Sequence, residues 1–311
     1  MQKVLVTCPP MLGMFDEFVD PAKALGIELV AAKTTQVLTE DELMELLPHY
    51  DGWIIGDDPA TKQVFEAGIK GKLKAAVKWG IGVDNVDFAA CKELNIPIIN
   101  TPNMFGGEVA DVAMAFLLGL ARETYYIDRE IRCNNGWPKP AGMSVAGKTV
   151  GVVGFGDIGK HTVKRLSGFD VNVVVYDPGV DGNQGFDFVS RENFPNGLEQ
   201  LDFLIFTCAL NKHNFHMLDE NALSKMKVGS KVINVARGPL IDEKALISAL
   251  ESGHISAAAL DVFEEEPLPK TSPLRDMPQC IFGSHNGSNT KEGVRRATNE
   301  AIKKIAGFLY A

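Results

Sequence analysis

Short runs of β-branched and other apolar residues alternate with helix-like patterns along almost the whole 311-residue chain. The first of these runs lie at residues 4–7, 28–31, 53–55, 75–78 and 97–99. Strands that alternate with helices form βαβ units, in which the strands are parallel and helices cover the sheet. The pattern therefore predicts an α/β protein whose first hundred residues build one small parallel sheet.

A second sheet is predicted further along the chain. A long apolar segment at 106–122 follows a break at Thr101-Pro102-Asn103, which indicates a helix that enters a new domain. A stretch rich in Pro, Gly and Asn at 134–142 reads as a loop. Past residue 290 the pattern is helical to the end. Further strands are predicted at 148–153, 171–176, 203–206, 231–235, 257–260 and 280–282.

The charge balance restricts the partners of the chain. It has 31 basic and 40 acidic side chains, which gives a formal net charge of −9. Nucleic acids and anionic membrane surfaces are themselves negative, so neither attracts such a protein without a local basic patch. The longest apolar run, at 112–121, is about half as long as a membrane-spanning helix. We therefore expect no nucleic-acid partner and no membrane association.

Cysteine and histidine usage predicts a reduced, cytoplasmic protein without a metal. The N-terminal apolar run breaks at Pro9 and Pro10, before a signal-peptide core could form. His213 and His216 form a pair in a polar loop without a third ligand, so no metal is expected there. Five widely spaced cysteines give neither a disulfide framework nor a zinc site: Cys8, Cys91, Cys133, Cys208 and Cys280.

A glycine fingerprint marks the beginning of the second sheet. Gly154, Gly156 and Gly159 form GxGxxG directly after an apolar strand and before a helical pattern, and Asp177 closes the next strand. In this context the first glycine permits a tight turn, the second lets the backbone approach a pyrophosphate, and the third allows close packing of helix on strand. The helix N-terminus would then face the phosphates. Because Asp177 would accept hydrogen bonds from ribose hydroxyls and repel a 2′-phosphate, the motif predicts NAD rather than NADP.

The same residues fit part of a second phosphate-binding pattern. Residues 154–160 match the first seven positions of the P-loop GxxxxGK[ST], but His161 stands where that loop needs a hydroxyl to bind magnesium. Hydrolysis of a nucleoside triphosphate is therefore disfavoured. A plain turn without a ligand is the other alternative, and the combination of strand, helix, three glycines and terminal acid argues against it.

Three later segments each end a predicted parallel strand, where doubly wound sheets build their sites. They are VINVARG at 232–238, LDVFEEEP at 260–267 and GSHNGS at 283–288. Together with WGIGVDNVD at 79–87 and NTP at 100–102, they make the chain resemble the D-isomer-specific 2-hydroxyacid dehydrogenases over nearly its whole length.

The resemblance implies both an architecture and an activity. It implies two doubly wound parallel-sheet domains, with a Rossmann NAD-binding domain at 101–287 inserted into a flavodoxin-like substrate domain made of 1–100 and 288–311. It also implies an NAD-dependent oxidoreductase that interconverts a D-2-hydroxy acid and its 2-oxo acid by hydride transfer. The helix at 106–122 resembles the dimer-forming element of the family, so a homodimer is expected.

Oxidation of a 2-hydroxy acid needs a base that takes the hydroxyl proton while hydride leaves the carbon. By the resemblance, His285 is that base, and Glu266 orients its imidazole and favours the charged form. Arg237 offers a planar fork for the substrate carboxylate and carbonyl oxygen. Each residue alone could be an ordinary loop or surface residue, and their joint occurrence in family order favours the functional interpretation.

The resemblance also assigns contacts to the cofactor and the substrate. Asp261 is expected to contact the nicotinamide carboxamide. The backbone at Gly80, Ile81 and Gly82 is expected to receive the substrate carboxylate. The remaining positions that match cofactor contacts of the family are Asp157, Ile158, Ala236, Gly287 and Ser288.

The chain most resembles the short phosphoglycerate dehydrogenases, so D-3-phosphoglycerate and 3-phosphohydroxypyruvate are the expected pair. Reduction of glyoxylate or hydroxypyruvate is the alternative. After the strand at 53–55 the phosphoglycerate dehydrogenases usually carry an arginine that helps receive the phosphate, whereas this chain has Asp57 and Asp58. Two acids would repel a phosphate, although Lys78 or Lys62 could compensate.

A function of another class fits the same resemblance. The C-terminal-binding transcriptional corepressors keep this fold and much of this site, so the chain could be an NAD(H)-sensing binding protein. Turnover far below that of the dehydrogenases, together with tight NADH binding, would favour this alternative.

Overall fold

The structure, a computed structural model, describes residues 1–34, 36–180 and 185–311. The chain divides into two compact units, one formed by Met1–Phe105 and Asn289–Ala311 and the other by Gly106–Ser288. Each unit has its own parallel sheet. The predicted α/β class with two parallel sheets is confirmed. None of the helices in the described part of the chain is long and apolar enough to cross a membrane.

The first unit contains a five-stranded sheet in the order β2-β1-β3-β4-β5, which is the flavodoxin-like order. Every neighbouring pair is parallel. Its strands are β1 (Gln2–Val6), β2 (Ile27–Ala31), β3 (Gly52–Ile55), β4 (Ala75–Lys78) and β5 (Ile98–Asn100). Its helices are α1 (Pro9–Leu12), α2 (Asp16–Ala24), α3 (Glu40–Leu46), α4 (Lys62–Ile69), α5 (Phe88–Glu93) and α11 (Lys291–Tyr310).

The central strands of this sheet are covered on both faces, so their side chains are apolar without alternation. All four residues of β3 are buried, and the ring of Trp53 lies 5.8 Å from that of Phe65 on α4. The helix α3 begins at a capping box, in which Thr39 accepts from the Glu42 amide and the Glu42 side chain accepts from the Thr39 amide. Local signals of this kind fix where the helices begin.

The second unit contains a seven-stranded parallel sheet in the order β12-β11-β10-β9-β6-β7-β8. Its strands are β6 (Thr149–Val153), β7 (Asn172–Tyr176), β8 (Val189–Arg191), β9 (Phe203–Phe206), β10 (Ser230–Asn234), β11 (Ile255–Leu260) and β12 (Cys280–Phe282). Its helices are α6 (Gly106–Arg122), α7 (Thr124–Asn134), α8 (Asp157–Leu166), α9 (Glu220–Lys225) and α10 (Glu243–Glu251). The order reverses direction at β6, so the carboxyl end of β6 is the switch point where such sheets bind ligands.

Two elements were not predicted. The strand β8 has three residues, Val-Ser-Arg, and lies at the edge of the sheet, so its sequence carries no long apolar run. The helix α7 contains no buried residue, so its apolar side chains do not belong to the core of the unit. It starts directly after Glu123, whose left-handed φ of 54° separates it from α6.

Candidate active site

The glycine loop follows β6 at the switch point of the second unit. Gly154 has φ +93°, and a Cβ there would collide with Cys208. A Cβ on Gly159 would collide with the carbonyl oxygen of Gly154, so this close approach of α8 to the strand requires glycine. A Cβ on Gly156 would meet no atom within 4 Å, so the backbone there faces open space. The turn, the close packing and the open position are the three features that a dinucleotide pyrophosphate needs.

Asp177 follows β7 and reaches back to the glycine loop. Its Oδ2 accepts from the Phe155 amide at 2.6 Å, and its Oδ1 accepts from the Gly179 amide at 2.8 Å. The carboxylate is thereby held at the tip of the loop, where a ribose would lie next to a bound pyrophosphate. The loop, the N-terminus of α8 and Asp177 together fit an NAD molecule.

Asp157 and Ile158, the two other positions of α8 that are predicted to contact the cofactor, lie in its first turn. Asp157, the first residue of α8, has its carboxyl group against Gly106 at the start of α6, and its Oδ1 lies 3.3 Å from the His161 ring. A role for Asp157 in cofactor binding would therefore involve its backbone. Ile158 is half-buried in the same turn. Cys208 adjoins Gly154, and burial raises the pKa of its thiol to about 12.

Arg237 lies in a turn after β10 that Asn234 holds in shape. The Asn234 side chain accepts from the Ala236 amide at 3.0 Å and donates to the Arg237 carbonyl at 2.8 Å. Arg237 Nη1 donates to the Ala236 carbonyl at 2.8 Å. A Cβ on Gly238 would collide with the backbone of Phe263, so glycine lets this turn pack against the loop that carries Glu266.

Glu266 and His285 form a hydrogen-bonded dyad after β11 and β12. Glu266 Oε2 lies 2.7 Å from His285 Nδ1, and Glu266 Oε1 accepts from the Phe263 amide at 3.0 Å. Both side chains are about three-quarters buried, with 24% of their surface exposed. With Nδ1 bound to the carboxylate, Nε2 is the ring nitrogen that can exchange a proton with a substrate.

Asp261 fixes the loop that carries His285. Its carbonyl accepts from the His285 amide at 2.6 Å, and its two carboxylate oxygens accept from the amides of Asn286 at 3.1 Å and Gly287 at 2.9 Å. Asp261 is itself 3% exposed. These contacts hold His285 at φ 55°, a left-handed conformation that is uncommon for a non-glycine residue. Ser288 follows in the same loop and is half-buried.

In the first unit, the loop at 80–82 follows β4. The Gly80 amide, predicted to receive a substrate carboxylate, donates to Thr101 Oγ1 at 2.8 Å. Asn100 Nδ2 donates to the Ile81 carbonyl at 3.1 Å, and the Thr101 amide donates to the Gly80 carbonyl at 3.2 Å. Because the N–H of a trans peptide points away from its carbonyl, the Gly82 and Ile81 amides lie on the other side of these two peptide planes. Gly80 has φ +111°.

The two adjacent acids of the first unit have different environments. Asp58 is fully buried and accepts from Thr7 Oγ1, from the Leu38 amide at 2.9 Å and from the Gly56 amide at 3.1 Å. Burial raises the pKa of the Asp58 carboxyl, against the effect of these hydrogen bonds. Of the two acids expected to repel a phosphate, Asp58 is thus enclosed within the unit, where its hydrogen bonds give it a structural role. Asp57 has 40% of its side chain exposed.

The expectation that His216 lies in a loop without a third metal ligand is wrong, because two carboxylates lie beside it. Its Nε2 lies 2.8 Å from Glu264 Oε1 and its Nδ1 lies 3.9 Å from Asp242 Oδ2. One ligand atom from each of these three residues lies within 4.8 Å of the others, whereas His213 is outside the group. Because the two ring nitrogens face different carboxylates, we interpret the group as a cluster of polar side chains and assign no metal to it.

Several supporting residues of the site escaped the sequence analysis. Asn234, Gly238 and Thr101 lie within the strand-end segments: Asn234 contacts Ala236 and Arg237 in its own turn, whereas Gly238 and Thr101 contact residues distant in sequence. An asparagine or glycine at the end of a parallel strand is a weak signal alone. Its position beside Arg237 or Asn100 is the signal that could have found it.

Comparisons with known proteins agree with this geometry. The family model described as "D-isomer specific 2-hydroxyacid dehydrogenase, NAD binding domain" matches residues 114–287. A D-3-phosphoglycerate dehydrogenase of Methanocaldococcus jannaschii is 34% identical and is matched by 98% of this chain. The chain spans only 57% of the length of that protein.

Two further similar proteins are matched over most of their own length. A hydroxypyruvate reductase of Thermotoga maritima is 33% identical, and the match covers 88% of this chain and 89% of that protein. The crystal structure of a glyoxylate reductase from Paecilomyes thermophila is 27% identical with a TM-score of 0.83, and the match covers 99% of this chain and 95% of that one.

Proposed function

Because the chain belongs to the family of D-isomer-specific 2-hydroxyacid dehydrogenases, we propose that it interconverts a small D-2-hydroxy acid and its 2-oxo acid with NAD as cofactor. The observation that carries the proposal is the 2.7 Å contact of Glu266 with His285 at the carboxyl edge of the sheet that bears the dinucleotide fingerprint. A proton-transfer group on this edge would lie on the same side of the sheet as a bound nicotinamide, and this supports the proposal.

His285 is the proton-transfer group of the proposed reaction. In the direction of reduction, the imidazolium donates the proton on Nε2 to the carbonyl oxygen of the 2-oxo acid, which becomes the hydroxyl. In oxidation, the neutral imidazole removes that proton again. Glu266 holds Nδ1 in both directions and stabilises the positive charge of the ring. The cofactor, when bound, supplies or accepts the hydride.

Arg237 and the first unit bind the acid in this proposal. The guanidinium of Arg237 binds the substrate carboxylate and polarises the carbonyl oxygen, because a planar cation matches both acceptors. We propose that the amides of Ile81 and Gly82 receive the carboxylate, since the Gly80 amide is bound to Thr101. A role for Asp261 at the nicotinamide carboxamide is compatible with its contacts, because a carboxylate oxygen can accept more than one hydrogen bond.

The choice of acid is a separate question from the type of reaction. The similar proteins carry the names phosphoglycerate dehydrogenase, hydroxypyruvate reductase and glyoxylate reductase. The acids in these names are short: glyoxylate has two carbons, hydroxypyruvate has a hydroxyl on a third carbon, and phosphoglycerate has a phosphate ester there. The candidates are therefore D-3-phosphoglycerate with 3-phosphohydroxypyruvate, and unphosphorylated acids such as hydroxypyruvate and glyoxylate.

We further propose that the chain acts as a cytoplasmic homodimer formed through α6, α7 and the loop that follows. In support, α7 has no buried residue. Three large apolar side chains of this region are exposed: Tyr125 by 48%, Ile131 by 40% and Trp137 by 77%. Sedimentation velocity of the purified protein tests the dimer, and a monomer at micromolar concentration would contradict it.

The activity is tested by NADH consumption with phosphohydroxypyruvate, hydroxypyruvate, glyoxylate and pyruvate at equal concentrations, with NADPH in parallel. We expect turnover of at least one acid with NADH. Arg237→Ala and His285→Ala should abolish that turnover and keep NADH binding, measured by fluorescence titration. Normal turnover in either variant would contradict the assignment, and tight NADH binding without turnover of any acid would favour an NAD(H)-sensing protein.

A further inference from the structure

Asp57 and Lys78 form an ion pair at the carboxyl end of the first unit's sheet. Asp57 follows β3, and Lys78 is the last residue of β4. These two strands are adjacent and parallel, and Ile55 on β3 is the register partner of Lys78. Lys78 Nζ lies 3.1 Å from Asp57 Oδ1 and 3.1 Å from the carbonyl oxygen of Trp79. The Lys78 side chain is 3% exposed, whereas that of Asp57 is 40% exposed. The pair therefore presents a carboxylate at the surface with its counter-charge beneath it.

The ion pair adjoins the loop that would receive the substrate carboxylate. Lys78 Nζ lies 3.9 Å from the position that a Cβ on Gly80 would take. Asn85, which follows this loop, donates to the carbonyl oxygens of Gly56 at 3.1 Å and Asp58 at 2.7 Å. These bonds join the loop at 80–85 to the loop at 56–58, so the two loops form one surface.

We propose that Asp57 is a specificity-determining residue that admits a 2-oxo acid with a hydroxyl on its third carbon, such as hydroxypyruvate, and excludes the phosphate ester of that acid. The inference rests on the proposed function, because it assumes that the acid binds at 80–82. A carboxylate accepts a hydrogen bond from a hydroxyl. A phosphate dianion at the same place has no proton to donate and is repelled by the like charge.

The cations of this region do not reverse the repulsion. Lys78 is enclosed, and its ammonium already donates to Asp57 and to the Trp79 carbonyl. Lys62, the other lysine that could have compensated, has its Nζ 2.7 Å from both carboxylate oxygens of Glu93. The sequence resemblance favours a phosphorylated substrate, and the geometry of this ion pair favours an unphosphorylated one.

The test compares the wild type with Asp57→Asn. We measure kcat/KM with NADH for phosphohydroxypyruvate and for hydroxypyruvate. We expect the wild type to prefer hydroxypyruvate. In the variant, the kcat/KM for phosphohydroxypyruvate divided by that for hydroxypyruvate should rise at least tenfold, because the repelling carboxylate charge is lost and the positive charge of Lys78 is no longer paired with it. Glu93→Gln is the matched control, since it removes the same charge from a lysine pair away from the loop, and it should leave the ratio within twofold.

Two results would overturn the inference. One is a wild-type preference for phosphohydroxypyruvate, and the other is a ratio that Asp57→Asn leaves within threefold of the wild type. If Asp57→Asn unfolds, Asp57→Ser tests the same loss of charge with a smaller side chain. Turnover by the wild type with an unchanged ratio would refute the role of Asp57 and leave the proposed function standing.

A binding measurement extends the test to an enzyme that turns over neither compound. Isothermal titration of D-glycerate and D-3-phosphoglycerate in the presence of NAD gives the ratio of the two dissociation constants without catalysis. We expect wild type to bind D-glycerate at least tenfold more tightly and Asp57→Asn to reduce that preference at least tenfold. Absence of binding by both acids would overturn the assignment of a three-carbon hydroxy acid to this surface.

Discussion

Replacing Glu266 with Gln removes one negative charge from the dyad and keeps the size of the side chain. The wild-type carboxylate accepts two hydrogen bonds at once, from the ring of His285 at 2.7 Å and from the Phe263 amide at 3.0 Å. Gln has one oxygen and one NH₂ group, so it can accept only one of these bonds. If the Gln oxygen faces His285, the Phe263 amide loses its acceptor. If the NH₂ group faces His285 instead, it donates to Nδ1, so Nδ1 carries no proton and the ring is held neutral with its proton on Nε2.

The cost follows from these two contacts. A hydrogen bond to a charged group is worth about 1.5–3 kcal/mol, whereas a neutral one is worth about 1 kcal/mol. A buried donor without an acceptor costs about 1–3 kcal/mol. The part of this cost that falls on the transition state of oxidation, in which neutral His285 gains its positive charge, is about 2 kcal/mol, and this corresponds to roughly a 30-fold loss of kcat for oxidation.

Steady-state oxidation of the preferred 2-hydroxy acid by NAD, with NADH affinity measured separately by fluorescence, checks this value. Glu265→Gln is the matched control, because Glu265 is exposed and adjacent. We expect the control to stay within twofold of the wild type and NADH affinity to be unchanged in both variants. A kcat for Glu266→Gln within threefold of the wild type would refute the role given to the dyad.

Three other changes have definite expected outcomes. Asp177→Ala should raise the KM for NADH about tenfold and reduce the preference for NADH over NADPH, and an unchanged cofactor ratio would show that another residue sets the preference. Asp58→Ala removes an acceptor from three buried donors, of which the Thr7 hydroxyl and the Gly56 amide keep longer contacts to Ile54 O at 3.4 Å and Thr7 Oγ1 at 3.3 Å. The free energy of unfolding should therefore fall by about 2 kcal/mol, and a loss below about 1 kcal/mol in urea unfolding would contradict its structural role. The pKa of Cys208, raised by burial to about 12, means that roughly one thiol in 10,000 is ionised at pH 8. Iodoacetamide should therefore label exposed Cys133 first, and labelling of Cys208 should rise with pH between 7 and 9, as measured by mass spectrometry.

The fold was predictable where local patterns and burial coincide. The helix α6 has the predicted bounds, Gly106–Arg122, because its apolar residues are many and a break precedes it. The strand β8 and the helix α7 were not predicted, since the first is a short edge strand and the second buries nothing within its unit. Elements whose stabilising partners are few leave a weak pattern in sequence.

The sequence predicts which types of residue form the candidate site, but it does not predict the contacts that they make. The glycines and Asp177 lie within one βαβ unit, so their spacing alone indicates that they meet. Asp57 and Asp58 are adjacent and chemically identical, yet one is enclosed by Thr7 and two amides and the other is paired with a lysine. Which of two neighbouring acids turns inward depends on the packing of the loop against β1, and no local pattern records that packing.

The carboxylate of Asp261 holds the loop that carries His285, and this matters for the design of variants that accept other substrates. The backbone that carries His285 is held from the end of β11, because the amides of His285, Asn286 and Gly287 all donate to Asp261. Ser284 and Asn286 flank His285 and are exposed. Position 284 can therefore be randomised in a library while the backbone of the proton-transfer group stays in place, and such a library would explore selectivity without first having to repair catalysis.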